Sequence, residues 1–188
     1  MISDLLIQNL IEDTRKSLNQ AEKLKSVDLN SLKWKKNKTS WSTLECLEHL
    51  NLYGDFYLPQ IENKINNSES KPDDEFKSGF LGSYFSRSML PKEKLNKMKT
   101  FKDKNPLNYN LDKSVIDKFI NQQLKLLELL DQSRNVNLNK VKIQTSISSL
   151  IKLKLGDTFQ FFINHIIRHL DQVDRIQIAR KMSDAPPL

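Results

Sequence analysis

Three histidines occur in the 188-residue chain, His49, His165 and His169, and their placement offers the clearest opening for chemistry. His165-Ile-Ile-Arg-His169 is an i, i+4 pair, so on a helix the two imidazoles leave successive turns in the same direction. That geometry suits two ligands of one divalent metal ion. By itself the pair is weak, because a buried histidine is usually a neutral, hydrogen-bonded core residue. His49 strengthens it, since it sits within an apolar arc of a different helix. On pattern alone both readings stand, one shared ion or three packed histidines.

Other side chains near these positions carry a plain reading beside a chemical one. Cys46, three residues before His49, can be drawn as a fourth ligand or a nucleophile, but a free cysteine is more often a packing residue. Tyr53 and Phe56 share the face of His49 and are candidates to line a substrate pocket, although aromatics at helical spacing are commonly core. Gln172, one turn beyond His169, is a candidate to orient a bound water. Glu45 can serve as an outer partner, yet a capping role already accounts for it. Arg168 is expected on the solvated side.

Four long helices are needed to position these residues. The first is expected from Ser3 to about Val27, with Leu6, Ile11, Leu18, Ala21 and Leu24 on one face. Residues 29–40 read as a polar, lysine-rich loop. The second helix starts sharply: Ser42 and Glu45 form a Ser-x-x-Glu capping box, and Trp41 just before it can pack on Cys46. Leu52, Phe56, His49, Tyr53, Cys46, Tyr57 and Leu50 share its apolar arc, whereas Glu48, Asn51 and Asp55 fall outside it. The helix is expected to continue through a kink at Pro59 to about Asn67.

A long connection covers residues 68–113. Its first half carries Phe80, Leu81, Tyr84, Phe85, Met89 and Leu90, enough apolar surface to dock as a short helix. Its second half, from Lys92 to Lys104, is lysine-rich and expected to be exposed. A solvated loop is the better reading there than a phosphate-binding one, because Glu93 and Asp103 dilute the charge and aromatics are sparse. The third helix is expected from a Ser114 cap to about Arg134, with Ile116, Phe119, Ile120, Leu124, Leu127 and Leu130 inward. Alternation from Val141 to Ile147 suggests a strand, but with no convincing partner it reads as an extended crossing segment. The last helix is expected to follow a break at Gly156, with Asp157 as its cap, and to reach about Lys181. Phe159, Phe162, Ile163, Ile166, Leu170 and Val173 mark its core arc, and Asn164, Arg168, Asp171 and Arg175 its wet face.

Composition agrees with one all-α domain over residues 1–188. Four glycines and six prolines favour long uninterrupted helices over a many-turned β architecture. The net charge of +7 permits contact with anions without identifying a partner, and nucleic acid is not favoured. One cysteine forms no intrachain disulfide, which fits a reducing compartment. Neither a signal-peptide layout nor a membrane-spanning run is expected, so the location is read as cytoplasmic.

Two stretches carry a family resemblance. Trp41-Ser42-Thr43-Leu44-Glu45-Cys46-Leu47-Glu48-His49-Leu50, and Leu155-Gly156-Asp157-Thr158-Phe159 leading into His165-x-x-x-His169-x-x-Gln172, resemble the landmarks of the DinB-like superfamily, which includes bacillithiol and mycothiol S-transferase-like proteins. The resemblance implies a four-helix bundle with a long connection between helices two and three. It also implies a divalent metal, commonly nickel or zinc, held by His49, His165 and His169. Three neutral imidazoles without a charged ligand leave positions for water or substrate, as catalytic sites do, although imidazole donors do not reveal which metal. The implied function is a metal-dependent S-transferase joining a low-molecular-weight thiol to a small electrophilic substrate. A metal-dependent hydrolase and a non-catalytic binding bundle are the alternatives. A homodimer through helix faces is expected.

Overall fold

The computed structural model describes residues 1–90 and 100–183. Six α-helices are present among them: α1 (Ser3–Leu24), α2 (Leu29–Lys33), α3 (Thr43–Asn66), α4 (Phe80–Met89), α5 (Ser114–Gln132) and α6 (Leu155–Ser183). The bundle is built from α1, α3, α5 and α6, with α1 against α5, α5 against α3, α3 against α6 and α6 against α1. Tyr57, Phe119, Phe159 and Phe162 fill its centre as fully buried side chains. Each such ring removed from water contributes about 2–3 kcal/mol, so the bundle axis is where stability concentrates. The fold is all-α apart from one short hairpin, and no described helix is long and apolar enough to cross a membrane.

The capping box is present: Ser42 Oγ accepts from the Glu45 amide at 3.2 Å, and the Glu45 carboxylate accepts from the Ser42 amide at 2.7 Å. α3 then runs through Pro59 to Asn66. Asn51, expected outside the apolar arc, is fully buried, because α5 packs on that side and the Asn51 amide donates to the Val115 carbonyl at 3.0 Å. The 29–40 segment is not all loop, since Asp28 caps the short α2 by accepting from the Ser31 amide at 2.9 Å. α1 ends three residues short of the expected Val27.

The connection after α3 returns α4 to the outside of α6. α4 docks as a short helix, but only part of its apolar surface is used: Phe85 packs against the core, its ring 6.4 Å from that of Phe161. Gly82, Ser86 and Met89 point inward, whereas Phe80 is 90% exposed and Tyr84 64% exposed. Small residues allow the close approach, and Asn164 on α6 donates to Ser86 Oγ at 2.9 Å. Asp157 is not the cap that its sequence position suggests: α6 begins at Leu155 and Asp157 lies within it. Its buried carboxylate accepts instead from Ser78 Oγ at 2.5 Å and the Gly79 amide at 3.0 Å, fastening the start of α4. Gly156 does not break the helix either.

Residues 141–147 were read as unpaired, yet Lys142–Gln144 (β1) pairs antiparallel with Lys152–Lys154 (β2), Ile143 lying opposite Leu153. The alternation marks β1, but its partner β2 is three residues that run straight into α6, too few to stand out as a strand. At α5, Ser114 is the first helical residue rather than the cap; the cap position, Lys113, makes no side-chain capping bond, and Asp112 just before it accepts from the Ser114 amide at 2.9 Å. Leu124, assigned inward, is 50% exposed. Of the lysine-rich stretch, residues 91–99 lie outside the described residues. Lys102 to Lys104 form a 3-10 turn, and the Lys104 side chain is only 15% exposed, so that end is packed rather than free.

Gly156 is where a side chain cannot be added without movement. A Cβ there would lie 2.6 Å from the ring of Phe76, itself 2% exposed. Gly156→Ala is expected to cost about 1–3 kcal/mol by overpacking. Urea denaturation reads this as a lower midpoint at unchanged slope; an unchanged midpoint would mean that the ring moves aside freely.

Candidate metal centre

α3 carries His49 about two turns after the capped start, and α6 carries His165 and His169 one turn apart near its middle. Packing of α3 against α6 brings the three imidazoles together, with one ring nitrogen from each lying within 4.8 Å of the others. His49 Nε2 and His165 Nε2 are 3.2 Å apart. His49 and His165 are buried, and His169 is partly so.

Partners on the far side of two rings decide which nitrogen is offered. The Lys104 carbonyl lies 2.6 Å from His49 Nδ1, so Nδ1 carries the proton and Nε2 keeps its lone pair. Gln172 Oε1 lies 2.9 Å from His169 Nδ1 and sets that ring the same way. Such outer contacts fix the tautomer and ring plane of metal-binding histidines. His165 Nδ1 is buried without a hydrogen-bond partner among the described residues.

Desolvation keeps the three rings neutral. Burial pushes His49 down to about 4, with the Lys104 hydrogen bond opposing and its charge assisting. His169 is pushed down to about 3, by burial first and then by His49, against the Gln172 contact. His165 lies well below its ordinary value through burial, its two histidine neighbours and the Arg168 charge. Neutral imidazoles are the metal-binding form, so the site is ready for a cation without releasing ring protons.

The triad opens onto a cavity of about 1100 Å³. Trp41 forms part of its wall, with its ring centroid 4.7 Å from that of His49 and 5.8 Å from that of His169. Its Nε1 donates to Asn105 Oδ1 at 3.1 Å, so Trp41 packs over the histidines rather than serving only Cys46. Tyr53 also lines the cavity, its ring 4.6 Å from His165 and its hydroxyl pushed up to about 12, by burial first. Gln172 lines the cavity as well as holding His169. Phe56 is not brought to the cavity lining; the Lys104 ammonium sits over its ring at 5.7 Å.

Cys46 is fully buried and its thiol is pushed above the ordinary range by that burial, consistent with a packing role. Arg168, expected on the wet face, is only 7% exposed and lines the cavity beside the histidines. Sequence reasoning also missed Lys104 and Asn105 from the long connection and Ser146 from the hairpin. Backbone carbonyls and loop tips leave no mark in periodicity. Trp41 did leave one, as an aromatic just ahead of a helix cap, with a histidine about two turns into that helix.

The family model of the DinB superfamily matches residues 10–173. The chain belongs to the DinB superfamily. No curated protein and no solved structure matches it at a significant level. The DinB match takes in all three histidines, the whole of α3, α6 as far as Val173, and the connection that orients His49. Membership agrees with the three-histidine group read from the geometry, which has the donors and spacing to hold one metal ion.

The sign of the pH response follows from the depressed histidines. Unfolded histidines take up protons below about pH 6.5, while the folded ones do so only near 4 and below. The folded state then binds fewer protons, so stability falls as pH drops through that window. Metal-free protein is expected to lose stability between pH 6.5 and 5, approaching about 1.4 kcal/mol per pH unit for each histidine. Urea midpoints across pH read the slope, which the triple variant His49→Gln, His165→Gln, His169→Gln is expected to lose. An equal slope in that variant would assign it to other groups.

Proposed function

We propose that this DinB-superfamily protein is a metal-dependent enzyme that transfers a low-molecular-weight thiol, of the bacillithiol type, to a small electrophilic substrate. The supporting observation is the donor set itself. Three neutral imidazoles converge on the lining of one cavity, and no carboxylate or cysteine joins them among the described residues. Closed structural sites use four protein ligands, whereas three leave room for an exchangeable one. Zinc or nickel suits imidazole donors, and a divalent ion bound here supplies a Lewis acid that lowers the pKa of an incoming thiol or water.

This chain's own residues do the rest. His49, His165 and His169 hold the ion, and the Lys104 carbonyl and Gln172 keep the first and last of them in the right tautomer. Trp41 and Tyr53 wall the cavity and exclude water from the reacting atoms. In the transfer a sulfur–carbon bond forms as the leaving group departs from the electrophile, and the thiol proton passes to solvent. Cys46 takes no part, because it has no access to the cavity.

Zinc and nickel affinities of protein prepared without a histidine tag provide the test. His49→Ala, His165→Ala and His169→Ala are each expected to weaken binding at least about 100-fold, and Gln172→Ala about 10-fold, with helical circular dichroism retained. Full affinity in all three alanine variants would refute the site. Thiol conjugation of a halogenated aromatic is expected to require metal and to survive Cys46→Ser. Ester hydrolysis that needs metal but no thiol would assign the activated nucleophile to water instead.

A further inference from the structure

The residues of α6 that line the cavity recur at helical spacing from His165 through His169 and Gln172 to Arg175, Ile176 and Ala179. The cavity therefore extends along the helix past the triad rather than ending at it. Arg175 lies six residues beyond His169, a rise of about 9 Å. Apolar surface from Trp34, Trp41, Phe101, Phe161 and Met89 forms much of the wall. The charged side chains on the lining are Lys36, Arg168 and Arg175, and no carboxylate is among the described lining residues.

We infer that the cavity selects an amphipathic anion, with an apolar body against the tryptophan-bearing wall and a carboxylate or comparable group held by Arg175 and Lys36 away from the histidines. This deepens the enzymatic reading above and rests on it in taking the histidine end as the reactive one. The lining carries three cationic side chains and no carboxylate; Asp171, off the lining, offsets part of the charge of Arg168 and Arg175, and the remaining positive charge sets the field in the cavity. A cationic ligand is rejected by the same field. Asp171 pairs with Arg175 at 2.9 Å from one side. An exposed i, i+4 pair of this kind is weak, and a guanidinium has five donors, so Arg175 keeps the capacity to bind an anion. Arg168, close enough to lower the pKa of both His165 and His169, supplies positive charge at the deeper end.

The chain contains two tryptophans, Trp34 and Trp41, and both line this cavity, so tryptophan emission reports on it directly. Protein stripped of metal is titrated at low salt with phenylbutyrate, phenylbutanol and phenylbutylamine, which share one apolar body under an anionic, neutral or cationic head. The acid is expected to bind about tenfold more tightly than the alcohol, and the amine most weakly. Arg175→Gln and Lys36→Gln are each expected to reduce acid affinity about threefold to tenfold while leaving the alcohol unchanged. Equal binding of the three compounds, or an acid preference intact in the double variant, would overturn the inference. Because no metal is present, the outcome is independent of the metal reading: loss of charge selection with zinc binding intact defeats only this inference, and charge selection without zinc binding defeats only the other.

Discussion

The carboxylate of Glu45 ties the start of α3 to the connection that returns over the histidines. It accepts from the Ser42 amide at 2.7 Å, from the Lys35 ammonium at 2.6 Å and from the Asn108 amide at 2.5 Å, while the residue is only 2% exposed. Burial alone would raise its pKa, but Lys35 and the two amides outweigh this and hold it below the usual value. Asn108 takes the left-handed backbone conformation, φ 67°, that turns its amide to the carboxylate. The residues just before it are thereby held near α3, where the Lys104 carbonyl meets His49 and Asn105 meets Trp41. A charge that looks like a helix cap in sequence thus also helps to orient the His49 ring.

Three imidazoles gathered without a cation are not fully satisfied. The lone pairs of His49 and His169 both point inward, His165 has a buried nitrogen without a described partner, and two Nε2 atoms face each other at 3.2 Å. A buried polar atom left unpaired costs about 1–3 kcal/mol. Neutral rings with inward lone pairs could offset that cost by coordinating an ion, which a protonated cluster would not do. The same desolvation that suppresses protonation excludes bulk water from one side of the site.

Much of this was legible in the residues and some was not. The capping box at Ser42 and Glu45, the i, i+4 pair on α6 and the apolar arcs are local patterns, and local patterns survive in one dimension. What escaped depends on which distant element comes to rest alongside. Asp157 reads as a cap for its own helix, yet its carboxylate serves Ser78 and Gly79. Arg168 reads as solvated by its wheel position but is covered within the cavity wall. The apolar residues of α4 announce that it docks, but not that Gly82 is the residue that lets it approach α6 while Phe80 and Tyr84 stay exposed. The β-hairpin was too short for its alternation to be paired in advance.

X-ray absorption at the metal edge of zinc-loaded, tag-free protein tests the central claim most directly, because it counts the imidazoles around the ion. The expected spectrum shows three imidazole rings with nitrogen at about 2.0–2.1 Å, completed by a light donor that a small thiol displaces. A spectrum with fewer than two imidazoles, or with sulfur at about 2.3 Å before any thiol is added, would contradict a three-histidine centre from which Cys46 is excluded.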